Sequence, residues 1–156
     1  MQIYIDGSCR PSSKFGGYGV IIHDDNGNKE VITGTQADTT NNIMEMQALA
    51  VALKHIQENT LDKKYEIEIF CDSEYVVLGV TTWWKKWSAN GFKTSTGQPV
   101  KNLEMWKHLM KLCNEVTCKL TWVKGHATND NHNEVDKLVF DLTANHGNTP
   151  EIKPNN

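Results

Sequence analysis

The sequence predicts a single α/β domain built on one mixed sheet of five strands, and three observations carry that prediction. Three strand-like segments follow one another in the first third, joined by turn chemistry that includes Asn26-Gly27, a strong hairpin signal. Beyond them strand patterns alternate with helical ones, which adds the remaining strands through helical crossovers. The chain has 156 residues, 38% hydrophobic and 22% charged, with no internal repeat or linker, so it suits one core rather than two.

The elements are expected in the following order. Met1 to Ile5 is an apolar strand run, followed by a loop from Asp6 to Lys14 containing Gly, Ser and Pro. Gly16 to His23 and Glu30 to Thr35 are the next two strands, with Asp24-Asp25-Asn26-Gly27-Asn28 as the turn between them. A helix should run from about Asn42 to Asn59, with Thr39, Thr40 and Asn41 as capping candidates and Leu49, Leu53 and Ile56 at helical spacing. Glu66 to Cys71 reads as a fourth strand, and Asp72 to Val80 as a short helix. The Trp-Lys segment, a loop from Gly91 to Pro99, a helix from about Leu103 to Asn114 and the strand Lys119 to Val123 come next. A final helix is expected from about Asn133 to Asn145. The domain should span residues 1–146, and residues 147–156, with two prolines, read as a loose tail.

Composition excludes several classes. No apolar stretch approaches the roughly 18 residues of a membrane span, and the N-terminus enters a strand pattern without a basic region and apolar run. The expected setting is therefore cytoplasmic and reducing, without a membrane partner, and the expected state is a monomer. Cys9, Cys71, Cys113 and Cys118 form no C-x-x-C pair and have no His at zinc-finger spacing. The net charge of −3 hides an asymmetry. From Trp83 to Lys124 there are eight lysines against two acids, a balance of +6 that leaves −9 for the rest, and all five tryptophans fall in that stretch. A basic, aromatic-rich segment on an acidic protein is a candidate polyanion surface.

Four acids carry most of the chemical information: Asp6 after Ile3-Tyr4-Ile5, Glu45 in the first helical turns, Asp72 after Ile67 to Cys71, and Asp136 in the first turn of the last helix. A carboxylate at the end of a buried strand is costly unless it is paired or bound to a cation. Taken singly, Asp6 before Gly7 reads as a turn residue and Asp136 as an ordinary helix-start acid. Glu45 is harder to dismiss, because it shares a stripe with Leu49, Ala52 and Ile56. Four acids converging on one sheet edge would repel strongly without a cation. Oxygen-only ligation of this kind suits Mg²⁺ or Mn²⁺ rather than zinc. Two such ions about 4 Å apart would clamp the attacking and leaving oxygens of a phosphoryl displacement.

The motifs Tyr4-Ile5-Asp6-Gly7-Ser8-Cys9, Gly16-Gly17-Tyr18-Gly19, Thr39-Thr40-Asn41-Asn42-Ile43-Met44-Glu45, Cys71-Asp72-Ser73-Glu74-Tyr75-Val76 and Trp122-Val123-Lys124-Gly125-His126 resemble, in order and register, those of type I ribonuclease H. The resemblance covers about residues 1 to 145. It implies the ribonuclease H-like fold and an endonuclease that cuts the RNA strand of an RNA/DNA hybrid with two Mg²⁺ ions, Mn²⁺ substituting, to leave 3′-hydroxyl and 5′-phosphate ends. By motif it makes Asp6, Glu45, Asp72 and Asp136 the metal ligands and His126 a mobile histidine that assists turnover. It assigns the Gly7, Ser8 and Cys9 backbone with Asn41 and Asn42 to reading the minor groove, where the 2′-hydroxyl marks the RNA strand. Thr40 and Asn102 match a pocket for a DNA-strand phosphate. Trp83, Lys85, Lys86, Trp87 and Lys101 belong to a segment matching the basic protrusion that grips the DNA strand. At least one tryptophan of that segment is expected in the core.

Three departures stand out. Asn133-Glu134-Val135-Asp136 is one residue shorter than the Asn-Glu-x-x-Asp pattern common in the family. Ile43 stands where well-studied bacterial members have an arginine, and the protrusion tip reads Ser88-Ala89-Asn90 where they are more basic. Each phosphate left without a cationic partner flattens the salt dependence of binding by about one unit of slope, so weaker hybrid affinity is expected with the chemistry intact. Three rival readings remain: a same-fold nuclease or recombinase acting on DNA, a non-catalytic hybrid-binding module, and a detached domain of a reverse transcriptase. The first would not be expected to carry these motifs together, and the second would be expected to lack an acid.

Overall fold

The structure is a computed structural model that describes residues 1–59, 66–124 and 130–148. Five strands, β1 (Gln2–Cys9), β2 (Gly16–His23), β3 (Lys29–Gln36), β4 (Glu68–Cys71) and β5 (Lys119–Trp122), form one sheet in the order β3-β2-β1-β4-β5. The β1–β2 and β2–β3 pairs are antiparallel, whereas β1–β4 and β4–β5 are parallel. The meander is closed by hairpin turns, as the Asn26-Gly27 signal predicts, with Gly27 at φ 84°. The parallel strands arrive through α1 (Asn41–Asn59) and through α2 (Glu74–Leu78), α3 (Trp84–Asn90) and α4 (Leu103–Glu115).

Side-chain alternation along β1 sorts the chain into two layers. Ile3 and Ile5 join Val20, Ile22 and Ile69 under Leu49, Leu53 and Ile56 of α1 and Trp106, Leu109 and Leu112 of α4. On the opposite face Tyr4 and Ile21 pack with Val135 of α5 (Asp130–Asn148), with Phe70 and Leu138 beside them. Among the described residues no helix is long and apolar enough to cross a membrane.

Several boundaries differ from the sequence reading, and three of them lie near the acids. β1 does not stop before Asp6 but continues to Cys9, because Gly7, Ser8 and Cys9 pair with Tyr18, Gly17 and Gly16 of β2. The second correction concerns the helix expected from Asp72. Ser73 instead caps α2 by accepting the Val76 N–H at 3.2 Å, and a π-helical turn over Gly79–Trp83 joins α2 to α3. That turn sets Gly79 against the buried Trp106 ring, where a Cβ would lie 2.0 Å from the nearest ring carbon. Third, α5 begins at Asp130 rather than Asn133, so Asp136 stands in the second turn of its helix, not the first. The helix also runs to Asn148, past the expected end, and the rest of the tail lies outside the described residues.

Candidate active site

The register brings the acids together. The parallel β1–β4 ladder ends at Ile5↔Cys71, so Asp6 and Asp72 are the next residue on each strand and stand side by side. Glu45 reaches them from the other layer because α1 lies directly on Gly7. A Cβ at Gly7 would sit 2.3 Å from the Met44 carbonyl carbon and 2.5 Å from the Glu45 nitrogen, so only glycine permits this approach. The Gly7 N–H donates to Glu45 Oε1 at 3.2 Å and fixes the carboxylate at the sheet edge. One carboxylate oxygen from each of Asp6, Glu45 and Asp72 lies within 4.8 Å of the others. Asp136 enters from α5 and shares a side-chain hydrogen bond with Asp6, which also bonds Glu45 and Asp72.

Asp6 and Glu45 are buried, at 4% and 8% exposure. Burial, then the charges of Glu45 and Asp72, pushes the Asp6 carboxyl up to about 11. Burial and then Asp72 push Glu45 up to about 8, against the lowering effect of its bonds to Asp6 and Gly7. Asp72 is also raised, first by burial, while His132 pulls it down. Carboxyls this strongly desolvated and mutually repelled hold protons unless a cation replaces them. The donor set is hard oxygen from four separate elements, which fits a divalent cation of the Mg²⁺ type.

A stability consequence follows, with its sign fixed by the direction of these shifts. Groups whose folded pKa lies above the unfolded value near 4 stabilise the fold fully below that value, and lose the contribution as pH rises through the folded pKa. In EDTA the melting temperature should therefore fall as pH rises from about 5 through about 8, the range set by Glu45. Mg²⁺ should restore it, more at pH 8 than at pH 6. Thermal melts across that range check this, and a flat profile in EDTA would contradict it.

The remaining expected site residues are placed as follows. The Cys9 N–H donates to Asn41 Oδ1 at 2.6 Å, which ties β1 to the start of α1. Together with the Gly7 bond, this engages two of the three amides assigned to groove reading within the protein. Ser8 is half-buried, and Asn42 is exposed beside Asn41. The Thr40 hydroxyl caps α1 by accepting the Ile43 N–H at 3.2 Å. Asn102 precedes α4 in the left-handed region (φ 59°) and its amide donates to Tyr75 Oη at 3.3 Å. Lys85, Lys86 and Lys101 are exposed, while Trp83 and Trp87 are half-buried and ladder onto one another with centroids 5.9 Å apart. Trp87 continues that ladder onto Trp106, which is wholly buried and is the core tryptophan of the basic stretch. His126 lies outside the described residues.

Two residues near the acids were missed by sequence reasoning. His132, 2% exposed, stands one turn before Asp136 on α5. An earlier helix start was the one signal that would have placed it on that inner face. Trp122 donates its indole N–H to the Asp72 carbonyl at 3.2 Å. No sequence pattern announces that contact. The large cleft lined by His23, Asp25, Glu66 and Lys119 lies at the opposite end of the strands, where β1 and β4 begin, and holds none of the four acids.

Buried carboxylates gathered on a mixed sheet, with a basic aromatic segment on the same domain, define a metal-dependent hydrolase of the nuclease class. The family model for RNase H matches residues 1–143. The chain is 40% identical over 137 residues to the ribonuclease H of Ruthia magnifica subsp. Calyptogena magnifica, covering 88% of this chain and 90% of that protein. To the ribonuclease H of Acetivibrio thermocellus it is 41% identical over 142 residues, 90% and 92% of the two chains. Among solved structures, LC9-RNase H1, a type 1 RNase H with the type 2 active-site motif, matches with a TM-score of 0.75 at 26% identity, over 95% of this chain and 72% of that one. The chain belongs to the ribonuclease H family.

Proposed function

We propose that this enzyme cuts the RNA strand of RNA/DNA hybrids by hydrolysis, using Mg²⁺ with Mn²⁺ as a substitute, and leaves 3′-hydroxyl and 5′-phosphate ends. The observation that carries this reading is the set of carboxylate oxygens from Asp6, Glu45 and Asp72 within 4.8 Å of one another, in a chain of this family. Asp6, Glu45, Asp72 and Asp136 would hold two divalent cations. Bound there, such ions supply Lewis-acid activation of a water and charge stabilisation at the departing 3′-oxygen.

The chain's own residues do the rest. Gly7 and Glu45 hold the α1 edge of the site through their hydrogen bond. Asp72 and Asp136 bring charge from the β4 end and from α5 onto Asp6. His126 is proposed, by its motif, to act in turnover. Ser8, Asn41 and Asn42 face the RNA strand, where 2′-hydroxyls distinguish it. Thr40 and Asn102 are assigned to a DNA-strand phosphate. Lys85, Lys86 and Lys101, with Trp83 and Trp87, meet the DNA backbone, so recognition is by shape and charge with little sequence preference. The monomer is sufficient for this chemistry, because all four acids come from one chain.

The test is cleavage of a labelled RNA strand paired with DNA, in Mg²⁺ and in EDTA, beside single-stranded RNA, duplex RNA and duplex DNA. Cutting confined to the hybrid and abolished by EDTA is the expected result. Cutting of duplex DNA would favour the DNA-nuclease reading, and hybrid binding without cutting in either metal would favour the binding-module reading. Replacing Lys85 and Lys86 by Ala should lower the salt slope of hybrid binding by about two units at most, one for each phosphate no longer neutralised.

A further inference from the structure

We propose that Trp122 is a positioning residue for the cation site, holding the Asp72 turn from the edge strand β5. The inference rests on the cation-dependent reading of the four acids and adds a residue to it. The β4–β5 ladder ends at Cys71↔Trp122, and one further backbone bond, Val123 N–H to the Cys71 carbonyl at 2.9 Å, closes it. The next acceptor along the chain is the Asp72 carbonyl, which lies beyond the last paired residue of β4. The Trp122 indole N–H supplies its donor at 3.2 Å. On the far side Ser73 donates its N–H to Cys71 Sγ at 3.4 Å and caps α2 with its hydroxyl. The backbone that delivers the Asp72 carboxylate is thus tied at three successive residues, and Trp122 holds the middle one.

The exposure of Trp122 argues against a packing role. At 43% it keeps much of its ring in water, in contrast to Trp106 at 0%. A large apolar ring so placed contributes less to the core than a buried one. Its hydrogen bond to a carbonyl at the surface is worth little to global stability. A small displacement of Asp72 matters far more to a bound cation, because groups that orient ligands affect metal affinity by tenfold or more. Loss of the N–H should therefore separate the two quantities: cation affinity falls while stability hardly changes.

The experiment uses the full chain with Mn²⁺ as the calorimetric probe. Isothermal titration of wild type and Trp122→Phe, which keeps a ring but lacks the N–H, should show affinity about tenfold weaker in the variant. The metal-free melting temperatures should differ by no more than about 4 °C, the shift from losing one exposed hydrogen bond. In wild type, the Trp122 indole ¹H–¹⁵N resonance should shift during a Mg²⁺ titration, following saturation. Equal Mn²⁺ affinity in the variant, or an indole resonance indifferent to Mg²⁺, overturns the proposal. Should Trp122→Phe not fold, the wild-type resonance decides alone. Wild-type protein that binds no divalent cation would instead overturn the cation-dependent reading itself.

Discussion

Asp6→Asn should lower hybrid cleavage by about a thousandfold, the effect of losing several kcal/mol of cation-mediated charge stabilisation, and should make the metal-free protein more stable. Both effects come from one geometry. Asp6 is the hub of the cluster, buried, hydrogen-bonded to Glu45, Asp72 and Asp136, and raised to about 11 by burial and by their charges. Asparagine keeps the shape and can donate to those carboxyls, and it is neutral without taking up the proton that the buried Asp6 carboxyl must bind to fold at pH 8. The metal-free melting temperature at pH 8 should rise by about 4 °C, for a gain of about 1–2 kcal/mol. The gain should shrink toward pH 5, because binding that proton on folding costs less as pH approaches the unfolded carboxyl value near 4. Rate assays and melts in EDTA measure the two arms. A variant that cuts like wild type, or that melts lower at pH 8, would refute the assignment of Asp6.

Gly7→Ala is expected to have the largest effect on stability, and an effect on activity as well. Its Cβ would meet the Met44 carbonyl carbon, the Met44 oxygen and the Glu45 nitrogen at 2.3, 2.4 and 2.5 Å. All three are backbone atoms of α1, so relief requires the helix itself to move. Overpacking of this kind costs about 3 kcal/mol or more, which lowers the melting temperature by about 6–12 °C in a domain of this size. The same movement takes Glu45 off the sheet edge and lengthens its bond from the Gly7 N–H. Gly27→Ala is the control. It lies in an exposed turn with nothing within 4 Å of a built Cβ, at φ 84°. It should cost only about 1–2 kcal/mol of left-handed strain and leave cleavage unchanged. Equal stability of the two variants would show that α1 does not depend on the close approach.

Much of this fold was legible in local pattern. The Asn26-Gly27 turn, the apolar runs of β1 and β2, and the stripe of Leu49, Leu53 and Ile56 each state an element through its own residues. The boundaries that moved depended on distant partners. Gly7-Ser8-Cys9 has the composition of a turn, yet it is strand, because Gly16, Gly17 and Tyr18 supply the hydrogen bonds. The start of α5 was missed by three residues, and with it the burial of His132, because Asp130 and Asn131 read equally well as loop. The half-buried Trp83 and Trp87 and the wholly buried Trp106 carry the same sequence signal. Their different exposures follow from where α4 and the π-helical turn meet.

By itself, then, the sequence determined which residues carry charge and which carry the core, and in what order the elements follow. Asp6, Glu45, Asp72 and Asp136 were singled out by residue type, by placement and by the motifs that resemble type I ribonuclease H, since buried acids are costly wherever they fall. Only the tertiary structure decided how close they come. The parallel register Ile5↔Cys71 sets Asp6 beside Asp72, the missing Cβ of Gly7 admits Glu45 from 38 residues away, and Trp122 holds the Asp72 carbonyl across 50 residues. Periodicity and turn chemistry are local properties that a short window of sequence expresses. Register and close approach are set by packing between segments far apart in the chain, so they appear only once the two layers have closed on the sheet.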